Sequence, residues 1–323
     1  MRNLLVCLGE ILIDFLPLES HGELTGFTLH PGGGPFNVAV GLARLGQPTA
    51  FVGKLGADVF GRRLRRAVRA EGIDDTWLTD VPAPTTLAFV AHEDGEPVFT
   101  FYGAGAADTL LTPADLPLAL FERAAGLHFG GISLLRGSTP AAALAAAERL
   151  RGQALVSLDL NVRPRLIDDP GAYRATLARA IATCDLLKLS VADCAWLAPG
   201  QDPVQVASAR LRDGPALVAL TRGGAGVTAL RQRDGQVETL RVAGFSVAIA
   251  DTVGAGDSFS AGLLAALAER AALTREALVA LPVEELTAAL RFAAAVAALA
   301  CTRPGADPPR RSEVAAFLAA QDH

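Results

Sequence analysis

At residues 250–259 the chain reads ADTVGAGDSF: two glycines flank an alanine, an acid follows at once, and an apolar stretch comes after. Successive backbone N–H groups of Gly254, Ala255 and Gly256, opening a helix read over 258–271, make a concavity suited to an anion. The spacing is GxG-D, with Phe259 where a dinucleotide finger has its third glycine, and the run lies late in the chain. A lone phosphate would be repelled by the acid beside it. Asp257 makes sense where a hydroxyl must shed its proton while attacking a bound phosphoryl group. A carboxylate can take that proton, and the loose transition state asks little of a base. At a helix N-terminus the acid is expected to stay ionised, under the dipole and the amide donors. The same residues also read as a tight turn before a core helix.

Three further clusters carry polar chemistry. HPGGGPFN at 30–37 leads into Val38, Leu42 and Leu45 at helical spacing, with Gly46 as the stop. Its glycines let the backbone approach a ligand, and Asn37 offers both an acceptor and a donor to hydroxyls. No Lys-Ser/Thr pair follows, so this is not a Walker loop. At 159–164 stands DLNVRP. A strand continued through it would set Asp159, Asn161 and Arg163 on one side and Leu160 and Val162 on the other. That is the C-terminal end of a parallel strand, where open α/β sheets bind ligands. TRGGAGV at 221–227, between two strand-like runs, can hold phosphate or ribose, or be a bare turn.

The elements that must position these residues alternate. Apolar runs at 4–8, 49–52, 126–129, 154–158, 186–189 and 216–220 read as buried strands. Helix-like segments at 36–45, 59–71, 140–151, 172–182 and 204–212 lie between most of them. This rhythm predicts an α/β fold with a mainly parallel sheet covered on both faces. One region departs from it. TTLAFVAHEDGEPVFTFY at 85–102 reads as a hairpin turning at Glu93-Asp94-Gly95. Residues 11–15 are strand-like directly after the first strand, with no room for a crossover. Together they predict a small β appendage able to act as a lid. The C-terminal part is helical at 258–271, 284–302 and 312–320.

Composition bounds the reading. Of 323 residues 51% are hydrophobic and 20% charged, enough for a sizeable core in one large domain. A net charge of -5 gives a nucleic-acid partner no electrostatic footprint, and the basic run at 62–66 reads as a solvated helix face. Cys7, Cys184, Cys194 and Cys301 show no CxxC spacing, which points away from zinc and toward a reduced, cytoplasmic setting. Glu10 and Asp14 interrupt the N-terminal apolar run, so it reads as a strand and not a signal peptide. The apolar stretch at 292–301 is too short for a bilayer, which needs about 20 residues, so no membrane partner is expected.

Taken together, PGGGPFNVAVGLARLG (31–46) and DTVGAGDSFSAGLL (251–264) resemble the two motifs of the ribokinase-like carbohydrate kinases, the phosphofructokinase B family. The resemblance covers essentially the whole chain. GEILIDFLP (9–17), FVGKLGADVFG (51–61), FTFYGAGAADTLL (99–111), DLNVRPRL (159–166), KLSVADCAWL (188–197) and RFAAAVAALACTRPGA (291–306) are most similar to the fructokinase branch. The resemblance implies a three-layer α/β/α core with a mainly parallel sheet and a small β-sheet lid. It implies one kinase domain over 1–323, with lid segments at about 11–30 and 85–108. It also implies ATP-dependent transfer of a γ-phosphate to a primary hydroxyl of a sugar, fructose first, with 2-keto-3-deoxygluconate kinase and ribokinase as alternatives.

Carried over by position, Asp257 is the base, and the amides of Gly254, Ala255 and Gly256 form the anion hole. Asp14, Gly32, Gly33 and Asn37 bind sugar hydroxyls, and Arg163 reaches substrate or phosphate. Lys188, Ser190, Thr221, Gly223 and Gly226, with Gly254 and Gly256, lie along the ATP path, and 291–305 packs near adenine. Magnesium bridges the phosphates mostly through water, and Asp193 would reach it only through water. Some relatives use a monovalent cation, here potassium near Asp251 and Thr252. The lid implies a homodimer built through it. Three positions depart from the family pattern. Gly103 stands where fructokinases often carry a lid arginine, Ser190-Val191-Ala192-Asp193 varies an Asn-x-x-Glu motif, and Val253 replaces a common threonine. Two other classes compete: a catalytically silent sugar-binding regulator, which would have no need of Asp257, and a nicotinamide-dependent oxidoreductase, for which no strand–GxGxxG–helix unit opens the chain.

Overall fold

Successive residues of β1 (Leu4–Leu8) part to opposite sides: Leu5 and Cys7 join one core, and Leu4, Val6 and Leu8 another. A strand covered on both faces must be apolar throughout, which is why LLVCL shows no alternation. The computed structural model describes residues 2–20, 23–93, 96–233 and 235–321. After β1 come β2 (Leu12–Ser20), β3 (Glu23–Gly32), α1 (Gly34–Arg44), β4 (Thr49–Gly56), α2 (Val59–Ala70), β5 (Leu78–Val81), β6 (Leu87–Glu93) and β7 (Glu96–Tyr102). The middle of the chain holds α3 (Leu118–Arg123), β8 (Ala124–Gly130), α4 (Thr139–Leu150), β9 (Leu155–Asp159), α5 (Pro170–Thr183), β10 (Leu186–Ser190), α6 (Val191–Leu197) and α7 (Pro203–Arg210). The last third holds β11 (Leu217–Thr221), β12 (Val227–Arg233), β13 (Gln236–Val242), α8 (Ala255–Glu269), α9 (Arg275–Ala280), α10 (Val283–Ala300) and α11 (Arg311–Gln321).

Among the described residues nine strands form the large sheet, in the order β13-β12-β11-β10-β9-β8-β1-β4-β5. Among the described residues pairing is parallel from β11 to β5, and β12 pairs antiparallel with both β11 and β13. Helices α1, α2, α8, α9, α10 and α11 bury their apolar sides in the core on one face. Helices α3, α4, α5, α6 and α7 cover the other. The fold is thus the three-layer α/β/α arrangement the rhythm predicts. Because β1 lies between β8 and β4, the chain crosses to opposite sides of it, leaving a crevice at the C-terminal ends of β1 and β8.

The appendage is a four-stranded sheet, β3-β2-β6-β7. Its strand β2 pairs antiparallel with β3 and parallel with β6. The arms β6 and β7 pair antiparallel, while Asp94 and Gly95 of the expected turn lie outside the described residues. Phe15, Phe27 and Phe89 cluster on this sheet, with Phe15 reaching Phe60 of α2 at a centroid distance of 5.9 Å. Asp14, one residue before Phe15, therefore points from the opposite face. Among the described residues no helix is long and apolar enough to cross a membrane.

Candidate active site

The crevice at the strand ends is a cleft of about 790 Å³, lined by residues of the small sheet, of the segments that follow β1, β8 and β9, and of the loop before α8. Gly254 takes a left-handed conformation (φ 73°, ψ 1°), which turns the chain into α8 at Ala255, three residues earlier than the sequence reading. The Ala255 N–H donates back to Thr252 O at 3.3 Å, while the next two amides, of Gly256 and Asp257, have no acceptor among the described residues. These are orphan donors of a helix start, and they face where an anion would sit.

Asp257 is buried, and Asn37 Nδ2 donates to its Oδ2 at 2.8 Å, so the two glycine-flanked motifs meet across the cleft. The amide donors expected around this acid are not among its partners. No backbone amide caps it, and burial raises its pKa above the ordinary carboxylate value, against the pull of Asn37, Lys188 and Arg163. Asp14, from the small sheet, is pushed up to about 7 by burial and by the like charge of Asp257.

The glycines before α1 act through space. A side-chain carbon at Gly32 would fall 2.0 Å from Asp14 Oδ2, so Gly32 makes room for that carboxylate. Gly33 turns at φ 111°, and there the backbone of Glu10 blocks any side chain. At Gly34 the added carbon would stand 3.4 Å from both Asn161 Nδ2 and Glu10 Oε1 and 3.6 Å from Asp257 Oδ1. Gly34 thus lies between three polar groups of the cleft.

Glu10 is one that sequence reasoning missed. Its Oε1 accepts the Gly34 N–H at 3.0 Å and its Oε2 the Ser133 N–H at 3.1 Å, together with the Ser133 hydroxyl. It ties the end of β1 to the start of α1 and to the turn after β8. Burial pushes its pKa up to about 8, although these bonds pull the other way. Phe101 and Arg165 also line the cleft without having been anticipated. The signal for Glu10 was present, since an acid at the end of an apolar strand must have a partner or a task.

The segment after β9 departs from its expected alternation. The strand ends at Asp159, and Asn161 turns at φ 40°, because Leu160 N–H donates to Lys188 O and Val162 N–H to Asp193 Oδ1. Asn161 and Arg163 reach the cleft, with Arg163 exposed at its rim, while Asp159 turns under α8 to pair with Lys188 at 2.9 Å. Lys188 is itself buried. The remaining oxygen of Asp193 accepts the Ser190 N–H at 2.6 Å and the Ser190 hydroxyl at 2.7 Å, closing a capping box on α6. Both oxygens of Asp193 are therefore engaged in shaping this loop.

Ser190 and Thr221 are neighbours in the register of β10 and β11. Gly223 and Gly226 flank the following turn, which closes with Arg222 N–H on Gly226 O at 2.8 Å. Asp251 holds the loop before α8 to the 304–307 segment, accepting the Val253 N–H at 3.0 Å and the Gly305 N–H at 2.8 Å. Thr252 lines the cleft beside it. Gly103 rests against Thr86, whose hydroxyl donates to Asp108 at 2.5 Å and anchors the small sheet to the core.

The chain is similar to known proteins over nearly its whole length. A profile of the pfkB family of carbohydrate kinases matches residues 2–313. A fructokinase of Rhizobium leguminosarum bv. trifolii is 34% identical over 310 residues, which cover 96% of this chain and 88% of that one. The crystal structure of a Xylella fastidiosa fructokinase with bound ATP superposes with a TM-score of 0.91 at 32% identity and covers the whole of both chains. A Vibrio cholerae O395 fructokinase double mutant, bound to fructose, ADP and potassium, superposes with a TM-score of 0.86 at 29% identity, over 98% of each chain. With the motifs, the layered sheet and the acid at the start of α8 all in place, the chain belongs to the pfkB family of carbohydrate kinases.

Proposed function

We propose that the protein is an ATP-dependent fructokinase that transfers the γ-phosphate to a primary hydroxyl, yielding fructose 6-phosphate. The observation that carries this is Asp257. It is buried at the first turn of α8, beside free amides, with Oδ2 held by Asn37 and Oδ1 facing Gly34 across the cleft. The attacking hydroxyl oxygen bonds to the γ-phosphorus as its proton passes to Asp257, and the bond to the bridging oxygen of ADP breaks. A carboxyl raised by burial is better matched to accept that proton near neutrality than an ordinary one. The amides of Gly254, Gly256 and Asp257 supply the hole for the phosphoryl oxygens, with Ala255 swinging in from Thr252. Asp14, Asn37 and the Gly32–Gly33 backbone take the sugar hydroxyls. Ser190, Thr221, Gly223 and Gly226 line the nucleotide path along the edge of the large sheet.

Among the described residues no three His, Cys, Asp or Glu side chains gather as a metal cage. Magnesium would therefore come held by the nucleotide phosphates and water, with Asp193 available only through water. There it would neutralise phosphate charge. Potassium, which the Vibrio cholerae relative binds, would be held beside Asp251 and Thr252. Residues 1–323 act as one kinase unit in which the small sheet is the lid, and two copies pair through it. The largely exposed Tyr102 supports that pairing. Four free thiols support a reducing, cytoplasmic setting.

Arg163 and Arg165, both exposed at the rim of the cleft, favour a second reading, in which the acceptor is an acidic sugar such as 2-keto-3-deoxygluconate. An ADP-release assay over fructose, ribose and 2-keto-3-deoxygluconate, with magnesium and potassium varied, separates the two. Fructose is expected to give the highest kcat/KM, and Asp257→Asn to lower kcat at least about a hundredfold. Absence of ADP release with every sugar would sink the kinase reading.

A further inference from the structure

Lys188 interrupts the apolar strand β10. Leu187 and Leu189 enter the core on one face of the sheet, so Lys188 points to the other, under α8. It is 6% exposed, and its ammonium donates to both oxygens of Asp159, at 2.9 and 3.1 Å. A side-chain carbon built at Gly256 would fall 2.7 Å from Lys188 Nζ. The ammonium occupies the space that any other residue at 256 would fill, one position before Asp257. Gly256 is helical and needs no special φ, so its smallness is explained by this cation.

We infer that Lys188 is a positioning residue: docked on Asp159 and lodged against Gly256, it keeps Asp257 ionised for proton acceptance and does not touch the nucleotide. This rests on the role proposed for Asp257. The groups facing Asp257 are Asn37 on α1, Asp14 on β2, Asp159 on β9, Lys188 on β10 and Arg163 after β9, with Glu10 on the far side of Gly34. Asp193, at the start of α6, faces Lys188. Among these, Arg163 is exposed at the rim, where water screens it, and Lys188 is the buried cation. Asp14, Asp159 and Asp257 all lie above their ordinary values through burial, and Lys188 pulls against that at Asp159 and Asp257. His128, on the same face, is driven down to about 3 by burial and by Lys188, so it stays neutral and adds no second charge.

The test is Lys188→Met, with Lys188→Met/Asp159→Asn beside it. The single variant leaves Asp159 buried and unpaired, which can prevent folding, whereas the double variant removes the pair as a neutral whole. The acid limb of kcat/KM for the sugar is expected to move up by about one pH unit, so that a loss of about tenfold near neutrality recovers at high pH. KM for ATP is expected to stay within about twofold. A 13C-carboxyl titration of the aspartates, with Asp257 assigned from Asp257→Asn, needs no acceptor. It reads the same upward shift even if no sugar is turned over. An unmoved limb and titration in the folded double variant would overturn the inference. So would a rise in ATP KM of about tenfold or more with the limb unmoved, which would mark Lys188 as a nucleotide contact.

Discussion

Glu10 receives donors from Gly34 and Ser133, yet burial holds its pKa at about 8 against an ordinary 4.5. A carboxyl whose folded pKa is raised binds its proton more tightly in the native state than in the unfolded one. Its favourable contribution is therefore complete below about 4.5 and lost as pH rises to about 8. Glu10→Gln cannot titrate. Its melting temperature relative to the parent is expected to climb between pH 5 and pH 9, since only the parent suffers the cost of ionising a buried acid. A difference that stays flat over that range would show that Glu10 does not titrate with folding. Asp14, at about 7, bends the parent's stability the same way but cancels in the comparison.

Helices α1 and α8 hold the two halves of the reaction centre, and they touch at Gly41. A methyl there would fall 2.6 Å from Ala261 Cβ, well inside contact distance. Gly41→Ala gains about 0.5–1 kcal/mol of helix propensity but overpacks a rigid contact at about 1–3 kcal/mol, so net destabilisation of up to about 2.5 kcal/mol is expected in urea melts. Because the Asn37–Asp257 bond spans the two helices, kcat should fall more than sugar KM rises. A variant as stable and active as the parent would show that the helices part freely. At this scale the sequence was legible where one rule governed. The apolar run at 4–8 is β1 residue for residue, and the hairpin and its neighbouring strand do form a separate sheet. It was less so where tertiary contacts override local pattern. Alternation was carried past Asp159, but Asp193 draws Val162 into a turn that no local rule foretells. The sequence reading starts α8 at Ser258, whereas the helix begins at Ala255 and takes in Gly256, which leaves room for an ammonium from another strand. The short edge strand β5, with Thr79 and Asp80 exposed, has too little apolar pattern to announce itself. Asp14, Asn37 and Asp257 were legible as types and do converge. Glu10 was legible as an acid ending an apolar strand, but its partners, 24 and 123 residues away, were not.

Across the whole molecule, the small sheet is tied to the core by Thr86 with Asp108, by Phe15 with Phe60 and by Ile13, buried in the core. It presents Tyr102 at 64% and Leu24 at 58% exposure. If that surface pairs with its copy, light scattering will give twice the chain mass, and Tyr102→Glu will return the monomer. A parent that scatters as a monomer at micromolar concentration would remove the dimer. The bond from Asn37 to Asp257 closes over 220 residues of chain. At 5–20 residues per second, a ribosome needs roughly 10 to 45 seconds to make that stretch. The sugar side of the site therefore emerges long before its base. Throughout that interval the apolar flank of α1 lacks the helix that later covers it, so the two halves of the reaction centre can meet only after most of the chain has been made.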